Sequence, residues 1–153
     1  MKQELVRDWM SSPPITIDVH ATLPEACEIM RKHKIRRLPV MQEGKLVGIV
    51  TRGDLRGAQP SEATSLSIWE LNYLLAKLKM KEIMTPDPIT IRDDATIRDA
   101  AQLMIDYKVS GLPVVDKDGN LVGMITESDI FRLVVKHWRE EEEGKEEKEF
   151  QPA

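Results

Sequence analysis

Threonine and aspartate recur at one spacing in two places in the chain. Thr51 stands three residues before Asp54, and Thr126 stands three residues before Asp129. Each pair follows a short apolar segment and opens a segment of helical character, where free backbone N–H groups and the positive end of the helix dipole suit a phosphate. A threonine hydroxyl can donate to phosphate or ribose, and an aspartate carboxylate can accept from both ribose hydroxyls. The spacing therefore favours two sites for a ligand that carries a sugar and a phosphate.

The same spacing has a purely structural interpretation. Thr51 and Thr126 can cap the helices that follow, with Asp54 and Asp129 as the third helical residues of the same caps. Because a cap and a ribose contact do not exclude each other, both interpretations stay open.

A glycine stands three residues before each of these threonines. Gly48 and Gly123 lack a side chain, so we expect a ligand to approach the backbone closely at these two strand ends.

A basic pair distinguishes the two places. Arg36 and Arg37 precede an apolar strand in the first, where the second has Ser110 and Gly111. Guanidinium groups bind phosphate strongly, so we expect a phosphorylated ligand to prefer the site of Asp54. A solvated basic edge that binds nothing is the alternative.

Patterns typical of catalysis and of metal binding are absent from the sequence. His20, His33 and His137 lie far apart and share no ligand spacing with Cys27. Cys27 lies on the apolar stripe of an expected helix, which favours a buried small side chain over a nucleophile. The chain has no glycine-rich phosphate loop with a lysine and no serine–histidine–aspartate order. We therefore expect no enzyme activity, no required cofactor and no metal.

An internal repeat positions these residues. With a shift of 74 positions, Pro14–Ile17 matches Pro88–Ile91, and Leu38–Val40 matches Leu112–Val114. One extra turn residue, Asp118, raises the shift to 75 for the rest of the repeat. The chain therefore consists of two copies of a unit of roughly 50 residues.

Each copy predicts the same order of elements, β-α-β-β-α. Short β-prone segments at 15–17 and 89–91 precede amphipathic helices that have Thr22 and Thr96 as N-caps. Two apolar strands joined by a hairpin turn follow, and a last helix begins directly after each threonine of the repeated pair. The predicted fold class is therefore α/β (α+β), with two such units in tandem.

The sequence also predicts two domains, a linker and a tail. The last helix ends near Trp138, and the Glu/Lys-rich remainder is interpreted as a frayed helix or as disorder. The segment from Leu66 to Met80 is interpreted as a bridging helix packed on the second domain, with a subunit contact through its broad apolar face as the alternative. The predicted ranges are 6–58 for the first domain, 59–79 for the linker and bridging helix, 80–138 for the second domain and 139–153 for the acidic, disordered tail.

Composition and charge limit the function classes. The 153 residues are 41% apolar and 31% charged, which is typical of a globular protein. Residues 139–153 hold seven acidic and three basic residues, and the rest holds 19 of each sign (26 less 7, and 22 less 3), so the net charge of −4 lies entirely in this tail. This balance excludes a generally basic binder of nucleic acid or anionic membrane. With one cysteine, no secretory signal and no apolar run of roughly 18–20 residues, we expect a cytoplasmic protein without a membrane span.

The two copies resemble a pair of cystathionine-β-synthase (CBS) domains, also called a Bateman module. The resemblance is carried by the Leu-Val-Gly-x-x-Thr-x-x-Asp motifs Leu46–Asp54 and Leu121–Asp129, each behind a Leu-Pro-Val strand, and it covers about residues 6–135. The linker Asp54–Ser61 with the apolar helix after it is similar to the acetoin-utilisation B type. That type often has a further C-terminal domain, for which we expect this chain to be too short.

This resemblance implies a regulatory protein that binds an adenosyl ligand of the AMP, ADP, ATP, S-adenosylmethionine or NAD class. It implies pseudo-two-fold symmetry, two ligand sites in clefts between the repeats, and a conformational change passed on to a regulated protein that the sequence does not identify. It also implies a homodimer formed through the helices. The alternative is a ligand-independent interaction module that binds a partner enzyme, transporter or transcription regulator.

Each implied site takes residues from both copies. At the site of Asp54 the implied contacts are, for phosphate, Thr51, Arg36 and Arg37 and, for the base, Ile89, Thr90, Val109 and Ser110. At the site of Asp129 they are, for sugar and phosphate, Thr126 and Ser128 and, for the base, Ile15, Thr16, Ile35 and Arg36. The implied set is completed by Arg52, which adds positive charge, and by the strand residues Leu38, Pro39, Leu112 and Pro113.

Overall fold

A mixed α/β fold with two separate sheets is confirmed by the computed structural model, which describes residues 3–60 and 65–149. Each copy keeps the predicted order of elements, although its first strand begins two residues later than expected, at Ile17 and at Ile91. In chain order the elements are α1 (Val6–Trp9), β1 (Ile17–Asp18), α2 (Leu23–His33), β2 (Arg37–Gln42), β3 (Lys45–Thr51), α3 (Arg52–Gly57), α4 (Ile68–Lys77), α5 (Met80–Ile83), β4 (Thr85–Pro86), β5 (Ile91–Arg92), α6 (Ile97–Tyr107), β6 (Gly111–Val115), β7 (Leu121–Thr126) and α7 (Glu127–Glu149).

These elements group into two compact units whose boundaries differ from those of the sequence repeats. Residues 13–89 form one unit, called here the Asp54 unit. The residues up to 12 and those from 90 onward form the other, called here the Asp129 unit. The predicted domain ranges 6–58 and 80–138 follow the sequence repeat, whereas the compact units group the first segment of each copy with the other copy.

In the Asp54 unit, a four-stranded sheet supports the helices. The strand order is β1-β2-β3-β4, with β1 parallel to β2 and the other neighbours antiparallel. The hairpin between β2 and β3 turns at Glu43 and Gly44, which both have a positive φ (48° and 78°), as the two-residue turn requires. Leu38, Val40 and Val50 on these strands are fully buried. This hairpin is therefore the rigid base from which α3 begins.

Helix α2 packs on this sheet through the stripe that the sequence predicted. Its buried residues are Leu23, Ala26 and Met30. The helix ends at Lys34, which adopts the left-handed conformation (φ 53°), and the next residue, Ile35, donates its backbone N–H to the carbonyl of Met30 at 3.0 Å. This tight turn carries the chain from the helix into Arg36 and β2.

Helix α4 belongs to the Asp54 unit, which corrects the expectation that the bridging helix packs on the second domain. It contacts α2, and Leu75 and Leu78 at its C-terminal end pack against the core of this unit. The carbonyl of Leu78 also accepts the backbone N–H of Leu23 at 2.9 Å, which ties the linker to the start of α2. The expected helix over 66–80 is therefore split at Leu78 into α4 and α5.

The Asp129 unit repeats the arrangement on a three-stranded sheet. The strand order is β5-β6-β7, with β5 parallel to β6 and β6 antiparallel to β7. Helix α6 buries Ile97, Ala100 and Met104, and its cap follows the prediction, since the backbone N–H of Asp99 donates to Thr96 Oγ1 at 3.1 Å.

In this unit the chain's N-terminal segment lies against β7. Ser11 and Met124 exchange two backbone hydrogen bonds of 2.9 and 3.0 Å. A β-carbon at Gly123 would lie 2.7 Å from Met10 Sδ and 2.7 Å from the carbonyl oxygen of Ser11. The close approach expected from a ligand at Gly123 is therefore made by the chain itself.

The corresponding segment of the Asp54 unit is α5 with β4. Strand β4 pairs with β3, and a β-carbon at Gly48 would lie 2.4 Å from Met84 Sδ and 3.0 Å from the carbonyl oxygen of Thr85. The absence of a side chain at Gly48 is therefore required by the packing of the chain itself, and a ligand against this glycine remains a prediction.

Helix α7 is longer than the sequence predicted. It continues without a break from Glu127 to Glu149, although we expected it to end near Trp138. Leu133 is buried against the Asp129 unit, whereas the residues from 139 to 143 are exposed. The expectation of a frayed or disordered tail is therefore corrected up to Glu149, and residues 150–153 lie outside the described ranges.

Candidate functional site

Thr51 and Asp54 form a reciprocal cap at the start of α3. The backbone N–H of Asp54 donates to Thr51 Oγ1 at 3.1 Å, and the backbone N–H of Thr51 donates to Asp54 Oδ2 at 2.8 Å. Asp54 is half-buried, and among the residues that the structure describes none donates a hydrogen bond to its other oxygen, Oδ1. The cap thus fixes the carboxylate and leaves one oxygen that can accept a hydroxyl group from a ligand.

Asp129 is held by more contacts than Asp54. Its Oδ2 accepts the backbone N–H of Thr126 at 2.8 Å and the hydroxyl of the same residue at 3.3 Å, while its Oδ1 pairs with the guanidinium of Arg132. The Asp129 side chain is only 2% exposed. Because both carboxylate oxygens already have partners, this residue serves here as an anchor of β7 and α7.

A cavity of about 610 Å³ lies between α2 and α3 in the Asp54 unit. Its floor includes the buried side chains of Met30 and Leu55. Within the described ranges none of its lining residues is acidic, and the basic ones are Arg31, Lys34, Arg36, Arg52 and Arg56. An apolar floor surrounded by guanidinium and ammonium groups suits an anionic ligand.

The equivalent cavity of the Asp129 unit, between α6 and α7, has a volume of about 530 Å³ and a different character. Its charged lining residues are Lys108 and Glu127, whose charges cancel. Its apolar lining residues are Ala101, Met104, Ile105, Val109, Ile130 and Phe131. Two homologous cavities therefore differ mainly in their positive charge.

One backbone contact positions the chain in the same way at both cavities. The N–H of Arg52 donates to the carbonyl of Arg36 at 2.7 Å, and the N–H of Glu127 donates to the carbonyl of Ser110 at 3.1 Å. The connection before the first strand of each hairpin is thereby fixed to the start of the helix that follows the hairpin.

The predicted site residues are divided between the two units. Arg36, Arg52 and Ile35 line the cavity of the Asp54 unit, whereas Val109 and Ser110 line that of the Asp129 unit. Ile15, Thr16 and Ile89 belong to the Asp54 unit, and Thr90 and the exposed Ser128 belong to the Asp129 unit. A site built from both copies therefore remains a prediction.

Five further predicted residues lie on strands. Arg37 is half-buried at the start of β2, where it pairs in register with Thr51 of β3. The other four are fully buried and belong to the strands that carry the site: Leu38, Pro39, Leu112 and Pro113.

Four basic residues near the candidate site were not predicted from the sequence: Arg31, Lys34, Arg56 and Arg132. For two of them, Arg56 and Arg132, the helical spacing from a predicted site residue is a signal in the sequence. Arg56 lies one helical turn after Arg52, so both point to one side of α3, and Arg132 lies one turn after Asp129.

Neither a cluster of metal ligands nor a membrane-spanning helix occurs in the part of the chain that the structure describes. Among the described residues no three histidine, cysteine, aspartate or glutamate side chains lie where they could hold a metal ion. Cys27 is a free, half-buried thiol beside the cavity of the Asp54 unit. Of the helices in the described part of the chain, none combines the length and the hydropathy that a membrane crossing requires.

The sequence matches the family model of the CBS domain twice, at residues 6–61 and 80–136. A CBS domain-containing protein of Dictyostelium discoideum is 39% identical over 133 residues, which cover 86% of this chain and 92% of that protein. An L-aspartate semialdehyde sulfurtransferase of Methanocaldococcus jannaschii is also 39% identical, but the chain spans only 23% of that enzyme's length.

Solved structures agree with this assignment. The CBS domain pair of protein MJ0100, in complex with 5′-methylthioadenosine and S-adenosyl-L-methionine, is 37% identical with a TM-score of 0.74, covering 89% of this chain and 99% of that one. CBSX2 of Arabidopsis thaliana, solved with AMP, is 30% identical with a TM-score of 0.70 over 87% of this chain and 97% of that one. The acetoin utilization protein AcuB of Vibrio cholerae is 32% identical with a TM-score of 0.74 over 93% of this chain and 98% of that one, as the linker resemblance predicted. With two matched domains and relatives of the same organisation over most of its length, the chain belongs to the CBS domain family and is a tandem CBS domain pair.

Proposed function

We propose that this chain is a regulatory CBS domain pair that binds a phosphorylated adenosyl ligand through its Asp54 unit and transmits binding as a conformational change. The observation that carries the proposal is the Oδ1 of Asp54, which accepts no hydrogen bond from the described residues and lies on the helix that supplies Arg52 to a cationic cavity; Asp54 itself is not among the lining residues of that cavity. A carboxylate that accepts ribose hydroxyls and a guanidinium that binds phosphate are the two groups that a nucleotide requires.

The solved relatives support an adenosyl ligand. One of them is bound to AMP and another to 5′-methylthioadenosine and S-adenosyl-L-methionine, and both share this chain's fold at 30% identity or more. The adenosine group is common to these ligands, whereas the phosphate belongs to AMP alone. The class of ligand therefore comes from the relatives, and the preference for phosphate comes from the cations of this chain.

The cavities of the two units differ in the positive charge that they offer to a phosphate. The cavity of the Asp54 unit has five basic and no acidic lining residues within the described ranges, whereas the charges of Lys108 and Glu127 cancel in the Asp129 unit. We therefore assign phosphorylated ligands to the Asp54 unit and expect the Asp129 unit to discriminate little between AMP and adenosine.

A ligand screen with a matched pair of variants tests this proposal. AMP, ATP, NAD and S-adenosylmethionine are added to the full chain, and a ligand that binds the folded state raises the melting temperature. Asp54→Asn keeps an oxygen for the cap but loses a carboxylate acceptor, so calorimetry with AMP should show affinity reduced by roughly tenfold or more.

Asp99→Asn is the control because Asp99 has the same reciprocal cap with Thr96 on a helix outside the site. It should bind AMP as the unmodified chain does. Equal affinities for all three proteins would refute the assignment to Asp54.

A ligand-independent interaction module is the second candidate, and the exposed face of α4 favours it. Ile68, Trp69 and Tyr73 on this helix are 69%, 81% and 61% exposed, which is unusual for large apolar side chains. If none of the four ligands shifts the melting temperature, this second function is the better account of the chain.

The proposal includes a homodimer in the cytoplasm and assigns no catalytic step to the chain. Enzymes among the relatives, such as the sulfurtransferase, match this chain over only part of their length, which is consistent with a regulatory part joined to a separate catalytic part. Light scattering after size exclusion is the test of the homodimer. A monomer at micromolar concentration would contradict it.

A further inference from the structure

The last part of α7 is an exposed helix with a strong negative charge. Its residues 140–146, called here the acidic segment, contain five glutamates and one lysine, a net charge of −4. Glu140 lies 3.8 Å from His137, and the remaining glutamates of the segment are exposed. Glu142 and Glu146 are one turn apart and share a face of the helix.

The cavity between α2 and α3, called here the cationic groove, has the opposite charge. Its five basic residues carry +5, and only Arg31 has an ion pair within the described residues, with Glu28 at 2.7 Å, so the uncompensated charge is +4. Arg52 and Arg56 are exposed on one side of α3, and Arg31 is exposed on α2. The groove and the acidic segment therefore carry equal and opposite charges.

We propose that the acidic segment of one chain docks in the cationic groove of a second copy, so that a two-fold symmetric dimer forms. This inference rests on the homodimer proposed above and names the contact that holds it. In a two-fold dimer each copy contributes one segment and one groove, so the contact is made twice and the assembly closes.

The chemistry of the two surfaces determines how strong this contact is and what weakens it. One exposed ion pair contributes little, but several cations facing several carboxylates form a network that steers association and fixes the register. The stems of the glutamate and arginine side chains can pack on the apolar floor at Met30 and Leu55. Because the charges are exposed, added salt screens them and should weaken the dimer.

Two double variants, one on each surface, test the contact in the full chain. Glu142→Lys with Glu146→Lys changes the net charge of the acidic segment from −4 to 0, and Arg31→Glu with Arg56→Glu changes that of the groove from +5 to +1. Because the groove is also the cavity assigned above to a phosphorylated ligand, the measurements are made without nucleotide. Sedimentation velocity should show dimerisation weakened by roughly tenfold or more for each double variant, and for the unmodified chain when salt rises from about 50 to about 500 mM. Glu82→Lys with Asp118→Lys is the control for the segment variant, since it adds the same four positive charges at exposed sites elsewhere.

Mixing the two double variants gives the decisive result. The unmodified segment of the groove variant then faces the unmodified groove of the segment variant, so one of the two contacts is restored and the mixture should form more dimer than either variant alone. If the unmodified chain is monomeric under all conditions, the homodimer itself is refuted. If it dimerises and neither salt nor either double variant changes the dissociation constant, the homodimer holds and the docking contact is refuted. If the variants change only the folding of the monomer, with no recovery in the mixture, the segment acts within its own chain and the proposal is wrong.

Discussion

Asp54 and Asp129 occupy equivalent cap positions but differ in how much of each carboxylate is accessible. Asp54 is half-buried with one oxygen engaged, whereas Asp129 is buried with both oxygens engaged. The second engaged oxygen of Asp129 comes from one residue, because Arg132 stands where the first copy has Gly57, which has no side chain to reach the carboxylate. The same cap therefore presents a ligand-accepting oxygen in one unit and a structural ion pair in the other.

We expect Asp129→Ala to destabilise the protein more than Asp54→Ala. Both substitutions remove a cap, which costs about 0.5–2 kcal/mol. Only Asp129→Ala also removes a side chain that is 2% exposed together with its ion pair to Arg132, which adds about 1 kcal/mol or more. Urea unfolding of the two variants measures the difference. Equal losses of stability would show that burial and Arg132 add nothing to the cap of Asp129.

At the scale of elements, the packing of the segments 10–12 and 84–86 explains the glycines in β7 and β3. Met10 and Ser11 lie against Gly123, and Met84 and Thr85 lie against Gly48, with contacts that leave no room for a β-carbon. Each glycine thus allows a neighbouring segment to pair with the return strand of the hairpin. Since that strand leads directly into the helix that carries the aspartate, the glycines help to position the site through this pairing.

Gly48→Ala should therefore destabilise the Asp54 unit. The added β-carbon meets Met84 Sδ and the carbonyl oxygen of Thr85, and overpacking of this kind costs about 1–3 kcal/mol. Gly57→Ala is the matched control, because a β-carbon there has no neighbour within 4 Å and lies in a helix. Thermal unfolding should show a lower melting temperature for the first variant and an unchanged or higher one for the second.

Local features of the fold could be predicted from the sequence because neighbouring residues determine them. The reciprocal caps of Thr51 and Thr96 and the turn at Gly44 depend on side chains within a few positions, and the structure confirms them. The pairing of Ser11 with Met124 joins residues far apart in the chain, so no local pattern indicates it. The accessibility of the second carboxylate oxygen of Asp54 depends on burial and on Gly57. It too could not be predicted from the sequence, because it depends on the three-dimensional arrangement.

At the scale of the whole molecule, net charge and unit boundaries both depart from the sequence repeat. The repeats are electrically balanced, and the surplus of −4 lies on the extension of α7 beyond them. The compact units also differ from the repeats, since the Asp54 unit includes α5 and β4, and the Asp129 unit includes α1. A single repeat therefore does not contain all the segments that complete its own core.

A fragment of residues 13–89 should fold more stably than a fragment of residues 1–79, although the two are nearly equal in length. The first contains Met80, which is fully buried in the core of the Asp54 unit, and β4, which pairs with β3. The second lacks both and carries instead residues 3–12, whose hydrogen-bond partners, such as Met124, are missing from it. Circular dichroism on heating should show a cooperative transition for the first fragment, and a lower or absent one for the second. A domain of this size is only marginally stable, so the loss of one buried methionine and one strand should lower the melting temperature measurably. Equal melting temperatures for the two fragments would mean that the repeat, and not the compact unit, is the unit of folding.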